Sequence, residues 1–224
     1  MEKLPDHFLG SPIGTERISR EVLASHQRER VVELVTPVFA RRGYPGTTLD
    51  DLLASGKVGV TNFYDLFESK EDCFFAACER AVGNARRRIS AATEGPASWD
   101  ERAYLGLAAT LEFLLAEPLQ ARLVLIEAQS AGAEAIARYN ALMDTAVAWL
   151  AAGRGAHPSA RSLPQSFEQV VISGLSFYLQ QCLLDSRRHT TAELLEETAG
   201  FVLEPIVGAA EMRRLRRDLA PTTA

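Results

Sequence analysis

Three observations predict an all-α fold for this chain. Apolar residues recur at three-and-four spacing along most of its length, and nowhere do they alternate as a half-buried strand requires. Punctuation residues fall where helices should begin and end, as with the Ser98/Glu101 and Thr190/Glu193 pairs, each a capping-box pattern. With 224 residues, the chain can form one large domain or two modest ones.

The elements follow in order. Residues 1 to about 18 contain Pro5, Gly10, Pro12 and Gly14 and read as a flexible lead-in. A first long helix is expected over about 25–42, with Val31, Leu34, Val35, Val38 and Phe39 on one face and Gly43 at its end. Pro37 inside it should bend it, because the ring clashes with the carbonyl four residues back. Thr47 or Thr48 can cap a short helix over 49–55. A turn at Gly56–Gly59 leads to a second short helix over about 60–67. Ser69 then caps a longer one over 70–92, where Glu71 and Asp72 favour its positive end. Gly95-Pro96 marks a break. A helix from Ser98 ends before Pro118, and two more fit 118–129 and 133–152. Gly153 to Pro164, with its glycines and prolines, reads as the longest interior loop. Two strongly apolar helices follow, near 165–185 and 190–203. Pro205 then breaks or kinks the chain, and a basic tail carries Arg213, Arg214, Arg216 and Arg217.

Composition narrows the class. A hydrophobic fraction of 47% and a charged fraction of 24% are those of a globular protein rather than a disordered one. No apolar run approaches the ~18–20 residues that span a bilayer, and Met1–Ser11 has no signal-peptide core. Cys73, Cys78 and Cys182 match no metal or disulfide spacing, so a reduced, cytoplasmic protein is expected. His7, His26, His157 and His189 lie far apart, without a cysteine or carboxylate at ligand spacing. There is no glycine-rich phosphate loop and no nucleophile elbow. The expectation is therefore no catalytic site, no metal and no cofactor. The Arg86-Arg87-Arg88 run reads as a solvated helix face.

Residues 47–71 carry the most information. A helix-turn-helix needs a bracing helix, a tight turn, and a second helix whose first residues touch base edges. Leu49, Leu52 and Leu53 can pack inward, Val58 can fill the turn, and Phe63 and Phe67 can seal the second helix onto the first long one. That leaves Val60, Thr61, Asn62 and Asp65 outward. Asn62 can pair with adenine through two hydrogen bonds, and Thr61 and Val60 can meet a thymine methyl. Thr48, Tyr64 and Lys70 are placed to hold phosphates, with Lys57 on the turn beside them. Residues 17–70 hold eight basic side chains against seven acidic ones. Phosphate neutralisation dominates non-specific affinity, so one copy should bind DNA weakly and two copies better.

These residues resemble the tetracycline-repressor (TetR) family, in its actinobacterial type. Arg41-Arg42-Gly43-Tyr44 with Thr47-Thr48-Leu49 is similar to the end of that family's first helix and the start of its second. Phe63-Tyr64-Asp65-Leu66-Phe67-Glu68-Ser69-Lys70-Glu71 is similar to the entry to its fourth, and the specific match covers about residues 19–78. Three departures stand out. Gly56-Lys57-Val58-Gly59 replaces the usual Ala-Gly-Val-Ser, so Lys57 stands at the glycine that tolerates positive φ. Gly59 replaces the serine cap, and Leu66 stands where a phosphate-touching His or Tyr is common.

The resemblance implies a three-helix helix-turn-helix DNA-binding domain over 19–70, then a larger helical ligand-binding and dimerisation domain over 71–224. It implies a homodimeric repressor of a palindromic double-stranded operator, released by a small-molecule effector, with no membrane role. The apolar helices near 165–185 and 190–203 support dimerisation independently, since two from each subunit would make a four-helix bundle. For the effector, Tyr104, Phe113, Gln129, Tyr139, Met143, Trp149, Phe177 and Tyr178 are the candidate lining. The competing expectation is a helical small-molecule-binding or interaction protein without tight operator binding. The near-neutral charge and the changes at Lys57 and Leu66 support that alternative.

Overall fold

The computed structural model describes residues 20–95, 98–185, 187 and 189–219. The lead-in 1–18 and Pro96 of the expected break lie outside the described residues. Among the described residues every regular element is helical. α1 (Arg20–Arg42) runs through Pro37 without interruption. It stops at Gly43, whose φ of +76° is open to glycine without steric cost. α2 (Leu49–Gly56) and α3 (Val60–Leu66) are short; α4 (Lys70–Thr93) is long and starts from Ser69, whose hydroxyl accepts the Asp72 N–H. α5 (Trp99–Ala116) begins at the Ser98/Glu101 capping box, and Pro118 opens α6 (Pro118–Leu125). A 3-10 turn (Glu127–Ser130) leads into α7 (Ala133–Ala151).

The stretch Gly153–Pro164 corrects the expectation of an open loop. It folds into α8 (Gly153–Ala156) and a 3-10 turn (Pro158–Ser162). Irregular backbone needs donors for its carbonyls, and Arg154 supplies them. Its guanidinium donates to the carbonyls of Ala160, Leu163 and Pro164 at 3.0, 3.0 and 2.7 Å and grips the buried Glu168 carboxylate at 2.7 and 2.9 Å. A side chain at Gly153 would put its Cβ 2.4 Å from the Trp99 ring, so the residue must be glycine.

α9 (Phe167–Leu184) and α10 (Thr191–Val202) follow as expected. The break expected at Pro205 is there: α10 stops at Val202, and Pro205 sits in the first turn of a new short helix, α11 (Glu204–Val207), where a missing N–H costs nothing. The expected basic tail is likewise a helix, α12 (Ala209–Leu219), anchored by buried Met212 and Leu215. Arg214 bridges Glu101 at 3.1 Å and Glu211 at 2.6 Å, so one of the tail's arginines fastens α12 to α5.

Buried side chains gather in two clusters. The first joins Val31, Val35 and Phe39 of α1 to Leu52, Phe63 and Phe67, and to Phe74 at the start of α4. Leu123, Ala128, Ala131 and Ala135 complete it from far downstream. The second contains Leu111, Leu114, Leu150, Leu194, Leu195 and Ile206, drawn from α5, α7, α10 and α11. A polar link crosses between the N-terminal helices and the body: the Tyr44 N–H donates to the buried Glu127 carboxylate at 3.3 Å, which also faces Arg122 at 3.3 Å. α4 runs from the first cluster to the second, in contact with α1 at one end and packed along α5.

Candidate nucleic-acid interface and internal cavities

The candidate reading face is built from the α2–turn–α3 unit. Thr48 caps α2 in a full capping box: its hydroxyl accepts the Asp51 N–H at 3.2 Å and donates to the Asp51 carboxylate at 2.8 Å. These bonds hold the Asp51 carboxyl below its usual pKa, the Thr48 backbone N–H contributing most. Thr48 is therefore exposed at the rim with its hydroxyl proton already directed at Asp51. Lys57 occupies the left-handed region at φ +53°, ψ +44°, and its N–H closes α2 by donating to the Leu53 carbonyl. A lysine held there costs about 1 kcal/mol or more relative to ordinary backbone. Gly59 caps α3 without a side-chain bond.

On α3 the division of faces is sharp. Phe63 is fully buried and Phe67, just beyond the helix, nearly so, while Val60 and Tyr64 are more than half exposed. Thr61, Asn62 and Asp65 are also exposed, which puts Val60, Thr61, Asn62 and Tyr64 on one outward surface. Arg28 clamps this helix from behind, donating to the Leu66 carbonyl at 3.2 Å and to Asp72 at 3.0 Å with its guanidinium 4.8 Å above the Phe67 ring.

Lys70, expected to hold a phosphate, already has its ammonium engaged within the chain. Its ammonium donates to the carbonyls of Tyr44 and Thr47 at 3.0 and 2.9 Å and lies 4.3 Å over the Tyr44 ring. The loop after α1 leaves those carbonyls without helical partners, and a lysine at the start of α4 reaches them. Lys70 thus fixes the loop that presents Thr48. Arg28, Glu127 and this role of Lys70 gave no sequence signal, because each acts across 23 or more residues.

Two spaces open in the helical body. An inner cavity of about 250 Å³ lies among α4, α5, α6, α7 and α9, walled by Phe113, Leu114, Met143, Ile172 and Leu179 among others. An outer cleft of about 450 Å³ adjoins it, lined by Phe75, Cys78, Glu79, Arg138 and Tyr139. Burial pushes the thiols of Cys73 and Cys78 up to about 12, which keeps them protonated and unreactive.

The eight residues expected to line one pocket do not converge. Phe113 and Met143 line the inner cavity and Tyr139 the outer cleft, with the Tyr139 hydroxyl bonded to that of Ser176 at 2.6 Å. Tyr104 is instead packed in the second core. Gln129 is exposed and donates to the Leu125 carbonyl at 2.8 Å. Trp149 packs against Trp99 in a tilted pair, ring centroids 5.9 Å apart, and lines neither space. Phe177 is 62% exposed on α9, and Tyr178 donates to Glu197 in a surface groove beside Gly174 and Phe201. Helical spacing shows that a residue is on an apolar face, but not whether that face meets a cavity, a core or a partner. Arg86 and Arg87 are exposed, as a solvated face requires, and Arg86 also lines both spaces. The signal was the spacing of Val82, Ala85, Arg86 and Ile89, which places all four on one side of α4.

The structure thus mounts a helix-turn-helix on a cavity-bearing helical body. A profile described as bacterial regulatory proteins, tetR family, matches residues 36–77, from the end of α1 into α4. Over 67 residues, 30% of this chain, the sequence is 36% identical to the HTH-type transcriptional repressor DhaR of Mycobacterium sp. (strain GP1). That match spans about a third (34%) of the repressor's own length. The matched residues 36–77 are the helix-turn-helix with the end of α1 and the start of α4, so the sequence likeness to that family lies in this segment. The fold of the whole chain agrees. A TetR-like transcriptional regulator from Rhodococcus sp. RHA1 superposes with a TM-score of 0.62 at 16% identity, over 84% of this chain and 97% of that one. AibR, in complex with isovaleryl coenzyme A and operator DNA, does so with 0.65 at 15% identity, over 80% and 99%.

Proposed function

We propose that this protein is a cytoplasmic, homodimeric transcriptional repressor, not an enzyme, which leaves its palindromic operator when a small molecule binds. Residues 19–70 read DNA; residues 71–224 bind the effector and form the dimer. The carrying observation is α3, whose Val60, Thr61, Asn62 and Tyr64 face outward while Phe63 is locked in the core. A side chain that can pair with adenine then stands on an exposed helix start, held at a fixed angle by buried aromatic rings. Thr48 and Lys57 flank it for phosphate contact, and Lys70 supports that rim from below.

The partner surface is α9 with α10. Val170, Phe177 and Leu184 recur every seven residues on α9 and are each more than half exposed, as is Phe201 on α10. Gly174 lies within this stripe, where the lack of a side chain admits a partner helix. An exposed apolar surface of this kind marks an interface, and the same stripe on a second copy is its self-complement under two-fold symmetry.

Coupling runs through α4 and Glu127. α4 begins under the reading domain and borders both spaces, so a guest that displaces it moves the two α3 helices of a dimer off their one-turn spacing of ~34–36 Å. Glu127 transmits motion of the α6–α7 corner to the Tyr44 loop. The test is selection of genomic DNA fragments by the purified dimer. A recovered two-fold motif with half-sites about one helical turn apart supports the proposal; recovery of unrelated fragments only would reject it.

A further inference from the structure

The chamber in the helical body also carries information about the chemistry of its guest. Its assignment as the effector's seat rests on the proposed role of residues 71–224 as the effector-binding part of the chain.

The inner cavity has aliphatic and aromatic walls, and its polar side chains other than Arg86 are engaged within the protein. The Thr110 hydroxyl donates to the Gly106 carbonyl at 2.8 Å, and the Ser176 hydroxyl is paired with that of Tyr139 at 2.6 Å. Such a space favours a hydrocarbon chain, because a polar guest would lose its water bonds without replacement. Val82, Arg86, Val124 and Leu142 border both the inner cavity and the outer cleft, so the two spaces meet at this ring of residues.

Arg86 supplies the charge at that junction. Its neighbours are engaged: Arg87 donates to Asn84, and Arg88 pairs with Glu117 at 3.3 Å. On the far wall of the cleft, Arg138 is held by Glu79 and Glu134, each at 2.8 Å, and lies 4.1 Å over the Phe75 ring. Arg138 is thus shared between two carboxylates; Arg86 is exposed, and among the described residues no ion pair or hydrogen bond reaches it. A guanidinium is always charged and matches a carboxylate through two parallel N–H donors.

We infer that the chamber binds an aliphatic monocarboxylate, with its hydrocarbon chain in the inner cavity and its carboxylate on Arg86. The head group is an anion because Arg86 is the charged member of the ring where the two spaces meet and makes no internal pair. The tail is aliphatic because, Arg86 apart, the inner walls offer no unused polar group.

Titration calorimetry on the full-length protein tests this with octanoate, octanol, octylamine and octanoyl-coenzyme A. Octanoate should bind at least about tenfold more tightly than octanol, as one charge-assisted contact implies. Arg86→Ala should remove that advantage and leave octanol affinity unchanged, while Arg86→Lys should retain part of it. Arg86 makes no internal bond, so neither variant should lower the melting temperature; a matched melting curve verifies this. Octanol or octylamine binding as tightly as octanoate would overturn the inference, and so would unchanged octanoate affinity in Arg86→Ala. Tighter binding of octanoyl-coenzyme A than of octanoate would overturn the assignment of a free carboxylate as the head group. Absence of octanoate binding alongside retained sequence-specific DNA binding would remove this inference and leave the regulator reading standing.

Discussion

Lys57 shows how much a single residue can report about this site. Its left-handed backbone closes α2 through the Leu53 carbonyl, a geometry in which glycine would rest without strain. The sequence already exposed this departure, since lysine stands where the family carries glycine. The structure adds that the positive φ is kept and the lysine tolerates it. Retaining a strained residue on the proposed DNA side points to its charge as the benefit. Lys57→Gly should therefore raise stability by up to about 1 kcal/mol, a few degrees of melting temperature, while weakening DNA binding at low salt and flattening its salt dependence by about one contact. Differential scanning calorimetry and a salt titration of DNA affinity check the two halves separately. Lys70 carries the opposite lesson. Its position at a helix start suggested a phosphate contact, yet its ammonium serves two backbone carbonyls 23 and 26 residues away. Local sequence cannot show which carbonyls a loop will leave unpaired.

At the scale of the element, helix starts were the most legible features. The capping pairs at Ser98/Glu101 and Thr190/Glu193, and the caps at Thr48 and Ser69, all form, because each depends only on residues three apart. The α2 cap gives a testable magnitude. Thr48→Ala should cost about 1 kcal/mol. Asp51 has a lowered carboxyl pKa in the folded state, so its contribution is present above the ordinary carboxylate range near ~4. It is lost as pH falls through the folded value. Thermal melts between pH 7 and pH 3 should show the difference between wild type and Thr48→Ala shrinking as Asp51 is protonated. A gap that stays constant across this range would contradict the role given to the box. Apolar faces were less legible. The periodicity of α9 and α10 was plain, but only the fold shows Val170, Phe177, Leu184 and Phe201 outside the core. Phe177→Asp should convert the dimer to monomer in analytical ultracentrifugation without unfolding it, since the side chain is exposed in the single subunit. A variant that remains fully dimeric would place the interface elsewhere.

Across the whole molecule, the all-α architecture and the order of its helices were readable from periodicity and punctuation. The way the parts join was not. The reading unit shares its core with Leu123, Ala128, Ala131 and Ala135, and Glu127 bonds to the Tyr44 backbone across 83 residues. No spacing rule reveals such pairings, because they depend on how α6 and α7 turn back onto α1. For the same reason the Gly153–Pro164 stretch looked open: its order comes from Arg154, whose bonds form only when α9 brings Glu168 alongside. In the proposed function these long-range joins are the route from a ligand in the body to α3. The account stands on α3 being a base-reading helix, and the most direct measurement is the affinity of Asn62→Ala for the operator recovered from genomic selection. Fluorescence anisotropy at two salt concentrations, against operator and scrambled DNA, separates base reading from phosphate attraction. The account predicts a loss of operator affinity of about tenfold or more in Asn62→Ala, as one bidentate base contact implies. Scrambled-DNA affinity and the salt slope should stay unchanged. Equal operator affinity for wild type and Asn62→Ala, or wild-type binding that does not distinguish operator from scrambled DNA, would contradict it.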